Sequence, residues 1–140
     1  QWTKALDSYL RIPSESRAAQ KIREIDLQML ASAINGGYWD LAVEMQSELS
    51  AHYERLNDWA AVADAYRHLA VYYEQINDAK NSNDARLMYQ RRVREYGLDY
   101  DAAHAWRHVA SILIDGGNHR RACDFLIRAA FEYQQQANIR

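Results

Sequence analysis

The sequence predicts an all-α fold: about three antiparallel helical hairpins, preceded by a leading helix and stacked as an α-solenoid. Three observations predict it. Ala65-Tyr66-Arg67-His68-Leu69-Ala70 recurs 40 residues later as Ala105-Trp106-Arg107-His108-Val109-Ala110, and a fixed shift of this kind marks repeated units. Apolar residues recur at helical spacing through most of the chain. Breakers are few and clustered, with one proline, Pro13, and five glycines, Gly36, Gly37, Gly97, Gly116 and Gly117, as expected of long helices joined by tight turns. The 140 residues have the size of one domain, so 1–140 is read as a single unit.

Trp2, Ala5, Leu6 and Tyr9 share one helical stripe, which Pro13 closes because its ring removes a backbone donor. Ser14 and Ser16 offer N-caps to the next helix, which runs to about Asn35 with Ile22, Ile25, Met29 and Ala33 as its apolar stripe. Gly36-Gly37 ends it, and Trp39 opens a partner helix that turns Ala42, Met45, Leu49 and Tyr53 inward. Asn57-Asp58 starts the second hairpin, whose front helix carries Trp59, Val62, Ala63, Tyr66, Leu69, Ala70 and Tyr73. Asn77 stands 40 residues after Gly37 and 40 before Gly117, and asparagine shares with glycine a tolerance for left-handed backbone, so one turn recurs at one phase. The polar stretch Asp78–Asn83 reads as a loop that delays the next helix to Asp84–Tyr96. After Gly97, Asp99 is the expected N-cap of a helix over Tyr100–Ile114, and Gly116-Gly117 leads into a last helix patterned by Ala122, Phe125, Leu126, Ala129 and Tyr133.

Around the second copy, Trp106, Val109, Ala110, Leu113, Gly117, Ala122, Leu126 and Ala129 resemble the large, small and turn positions of tetratricopeptide repeats. The likeness covers roughly residues 24 to 133 and departs from that family in two ways. The period is near 40 rather than about 34, like the extended repeats of SNAP-type adaptors, and Asp26 stands where Tyr66 and Trp106 stand in the other units. The resemblance implies a scaffold that binds a partner peptide or helix in a concave groove lined by its front helices. Carried onto this chain, the groove positions are Asp64, Arg67, His68, Val71 and Gln75 in one unit and His104, Arg107, His108, Ser111 and Asp115 in the next. Two arginines one repeat apart suit an acidic peptide or a free C-terminus, because a guanidinium grips a carboxylate through paired bonds. The alternative use of Arg67 and Arg107 is to pair with acids such as Asp64 and bridge the repeats. A shorter likeness, Gly37-Tyr38-Trp39-Asp40-Leu41-Ala42 through Glu48-Leu49-Ser50, Tyr53-Glu54 and Tyr72-Tyr73-Glu74, resembles the helical lobe of DOCK-type exchange factors, without the strand region that follows in that family.

Other chemistries find little purchase. Asp101, His104 and His108 share a helical face, but the equivalent positions one unit earlier are Ala61, Asp64 and His68, so no metal and no cofactor is expected. No Ser-His-acid set and no glycine-rich phosphate loop can be assembled, so no enzyme is expected. Arg86, Arg91, Arg92 and Arg94, with Arg120, Arg121 and Arg128, make two helices basic, with Tyr89, Tyr96 and Tyr133 interleaved. Glu95, Asp99, Asp124 and Glu132 interrupt them, and a net charge of −2 lacks the basic balance of a nucleic-acid binder. No uncharged apolar run approaches the roughly 18 residues of a membrane helix, so no membrane insertion is expected. The single cysteine, Cys123, reads as a small packed residue in a reducing, cytoplasmic setting. Gln1 in place of methionine, and a Trp2-x-x-Ala5 spacing that matches Trp39-x-x-Ala42, read as a piece cut from a longer solenoid, which raises a second role as a structural segment of a large assembly.

Overall fold

The helices of this protein are delimited by side-chain caps and left-handed turns that its sequence supplies at regular intervals. The structure is a computed structural model that describes residues 16–139. The expected leading helix, with Trp2, Ala5, Leu6, Tyr9, Pro13 and Ser14, lies outside the described residues. The helices are α1 (Arg17–Gly36), α2 (Trp39–Arg55), α3 (Trp59–Gln75), α4 (Ala79–Tyr96), α5 (Ala103–Asp115) and α6 (His119–Ile139), and the described residues contain no strand. Ser16 caps α1 by accepting the Ala19 N–H at 3.1 Å, and Asp58 caps α3 by accepting that of Ala61 at 3.2 Å. Gly37, Asn77 and Gly117 all have positive φ, at 73°, 60° and 79°. Asn57 and Gly97 do as well, at 57° and 64°, so the turn recurs every 20 residues, at each helix end rather than at each hairpin.

Two boundaries differ from expectation. The stretch 78–83 is not a loop, because Asp78 accepts the Asn81 N–H at 3.1 Å and starts α4 at Ala79. Ser82 then donates its hydroxyl to the Ala70 carbonyl at 2.8 Å, so a residue with weak helix preference is anchored inside the helix. Asp101 rather than Asp99 meets the start of α5, accepting the His104 N–H at 3.1 Å.

The inward face of α1 is also rotated from the expected stripe. Leu30, Ala33 and Ile34 are buried with Asp26, while Ile22, Ile25 and Met29 are 58%, 47% and 40% exposed. The cause is coverage, since the core cluster that α1 joins reaches only its C-terminal half. Asp26, at the large-residue position of the repeat, faces Glu48 across α1 and α2, and its charge and hydrogen bond push the Glu48 carboxyl up. Cys123, expected to be packed, is exposed. On α6 the inward residues are Ala122, Phe125 and Ala129, whereas Leu126 and Tyr133 face outward.

Consecutive helices pack together from α1 to α4, and α5 packs on α6. In a serial solenoid each unit touches only its neighbours. Here α5 lies against both α1 and α3, so the third hairpin also meets the first. Asn118 donates to Asn35 Oδ1 at 3.0 Å, Arg121 donates to the Asn35 carbonyl, and Phe125 lies 5.6 Å from Trp39. The helices therefore share one main core, in which Ile34, Leu49, Tyr72, Val109 and Leu113 are fully buried. Each such side chain stabilises the fold by roughly 1.5 to 3 kcal/mol relative to leaving it in water.

Candidate functional site

The duplicated Arg-His dipeptides sit where α3 and α5 cross. His68 is 3% exposed, and its Nδ1–H donates to the Asp64 carbonyl at 2.8 Å. A carbonyl only accepts, so the proton is on Nδ1 and the Nε2 lone pair is free to accept from His108 Nδ1–H, 3.1 Å away. His104 completes the group, its ring 6.1 Å from that of His68 and parallel to that of His108. Burial drives the His68 pKa down to about 4 against the pull of the Asp64 carboxylate. Burial and the Arg67 charge lower that of His104 as well. At neutral pH His68 is an uncharged hydrogen-bond relay between two helices.

Arg67 is the hub of the surroundings. Its Nε donates to Asp64 at 2.6 Å, while one terminal nitrogen reaches the Asp101 carbonyl at 2.8 Å and the Tyr89 hydroxyl at 3.3 Å. The Tyr89 hydroxyl in turn accepts the Asp101 N–H at 2.9 Å. One guanidinium thus ties α3 to α4 and to the turn before α5. Burial tends to raise the Asp64 carboxyl, but His68 and Arg67 beside it hold it below the usual carboxylate range. Arg107, one repeat later, is half exposed, lies 3.6 Å from Asp101 and covers the Tyr133 ring at 5.4 Å.

The ten expected groove positions therefore divide. His68 and Val71 are buried, and Arg67 points into the molecule, so these three are closed to a partner in this arrangement. The reason is the approach of α5, which covers the α3 face that an open groove would display. Asp64, Gln75 and His104 are partly exposed, while Arg107, His108, Ser111 and Asp115 are open along one side of α5. Among the described residues, no group of three or more His, Cys, Asp or Glu side chains has a metal-holding arrangement.

The basic helices are also largely engaged. Arg92 pairs with Glu95 at 2.9 Å, and Arg128 with Glu132 at 3.1 Å and Glu74 at 3.5 Å. Tyr89 and Asp101 were the residues that sequence reasoning did not assign to this cluster. Asp101 carried a signal, since it stands where the preceding unit has Ala61. Among the described residues no helix is long and apolar enough to cross a membrane. No protein-family model, curated protein or solved structure matches the chain.

Proposed function

We propose that this chain is a helical-repeat scaffold of tetratricopeptide-like construction that binds another protein, with its hairpins closed on one core. One observation carries the reading. The inner face of α5, through Ala105, Val109 and Leu113, is fully buried, whereas Arg107, His108, Ser111 and Asp115 form an open polar row that packing does not require. The 40-residue duplication and the regular left-handed turns support the repeat construction. A rigid surface of this kind loses little conformational entropy when a partner docks. With this reading goes a cytoplasmic setting, in which the lone exposed thiol of Cys123 stays reduced. The test is Arg107→Glu with Ser111→Glu, measured as recovery of bound proteins from lysate by a chain that melts like the parent. Recovery is expected to fall; undiminished recovery rejects α5 as the binding surface.

A second reading, that the chain is a structural segment packing through its ends, is favoured by the outer side of α6, where Leu126, Ile127 and Phe131 are 43%, 69% and 47% exposed. It requires association that grows with concentration, and a single monomeric species across a wide range in sedimentation velocity excludes it.

A further inference from the structure

We propose that the cleft between α4 and α6 anchors a carboxylate of the partner peptide, an inference that rests on the protein-binding reading above. Although α4 packs on α3 and α6 on α5, α4 and α6 do not pack on each other among the described residues. The gap between them is a cavity of about 330 Å³, walled by Asn83 and Arg86 of α4 and Arg128 of α6, with Glu74 and Asn77 beneath. Inward, beside Tyr89 and Trp106, it narrows to about 20 Å³, room for roughly a single water. A side chain or a chain end fits the outer cavity, and no backbone passes beyond it.

The charges in this cleft are unevenly satisfied. The Arg128 guanidinium is held by Glu132 and Glu74 and lies over the Trp106 ring at 5.0 Å. Arg86, half-buried and lining the same cavity, has no acidic, hydrogen-bonding or ring partner among the described residues. A guanidinium partly withdrawn from water gains most from a carboxylate, which accepts two of its N–H groups at once. The anion it suits carries one charge, because Glu74 repels a more highly charged group such as a phosphate. A nucleic-acid backbone needs a row of free cations, and Arg128 is already neutralised. The flanking Asn77 and Asn83 offer amide donors and acceptors to the peptide around the acidic residue.

The experiment is an NMR titration of the full chain with two blocked tripeptides, acetyl-Ala-Glu-Ala-amide and acetyl-Ala-Gln-Ala-amide, at millimolar concentration. The glutamate peptide is expected to move the Arg86 Nε–H and Asn83 side-chain resonances and to bind about five-fold more tightly than the glutamine peptide. Arg86→Gln should abolish the difference, and Arg107→Gln should leave it intact. Equal shifts with both peptides, an undiminished preference in Arg86→Gln, or no shift with either peptide overturns the anchor. Shifts confined to Arg107 and His108 overturn the cleft alone and leave the protein-binding reading standing, since that reading is judged by partner recovery on the α5 surface.

Discussion

His68 Nε2 accepts a hydrogen bond from His108 Nδ1 at 3.1 Å, so the same position in two units of the repeat, 40 residues apart, meets itself across the α3–α5 crossing. The pair makes the stability of this junction depend on pH. Unfolded histidine takes up its proton near 6.5, whereas folded His68 does so only at about 4. Between these values the unfolded chain binds more protons, so the stabilisation is complete above about pH 6.5 and is lost as pH falls towards 4. The loss attributable to His68 is about 3 kcal/mol. His104 shifts in the same direction, while Asp64, held low, loses its contribution only below its ordinary value of 3.8. Urea midpoints should fall steeply from neutral pH to mildly acidic pH in the parent and flatten in His68→Gln. An equally steep fall in the variant would assign the effect elsewhere.

The two repeat-equivalent arginines should behave differently. Arg67→Ala removes bonds to Asp64, Tyr89 and Asp101 together and should cost about 2 kcal/mol in denaturant unfolding. Arg67→Lys should not restore it, because an ammonium cannot reach all three as a planar fork does. Arg107→Ala, half exposed with a longer ion pair, should cost about 0.5 kcal/mol or less.

The left-handed asparagines bear strain that glycine lacks. Asn77→Gly should be neutral or stabilising by up to about 1 kcal/mol, and Asn77→Ala destabilising by about 1 kcal/mol, because φ is 60° there. Thermal melts of the two variants check the sign, which a turn without positive φ would not give.

Closure of the third hairpin on the first depends on a polar latch at Asn35. Asn118→Ala removes its two side-chain bonds to Asn35 and should lower stability by about 1 kcal/mol. Hydrogen exchange should quicken in the C-terminal half of α1 and at the start of α6 and stay unchanged in α4. Uniform quickening across all helices would mean that the latch acts on global stability rather than on this junction.

Legibility in the sequence followed the range of the interaction. Gly37, Asn77 and Gly117 were readable as turns because the left-handed conformation is a local property of the residue. The start of α4 was not, since Asp78 caps it locally but Ser82 is stabilised by a carbonyl of another helix. Ile22, Ile25 and Met29 formed a sound helical stripe, yet the helices that arrived covered the adjacent face instead. His68 and Val71 were assigned to an open groove for the same reason in reverse, and the unpartnered state of Arg86 emerged only with the positions of α4 and α6.

By itself the sequence determined where the helices lie, where the chain turns and that one unit is said twice, because propensity, capping and backbone conformation act within a few residues. The tertiary structure decided which faces are inside. It turned one of two equivalent arginines into a bridge, left the other on the surface, and brought the third hairpin back onto the first. Burial depends on which distant helix covers a face, and no local pattern encodes that arrival.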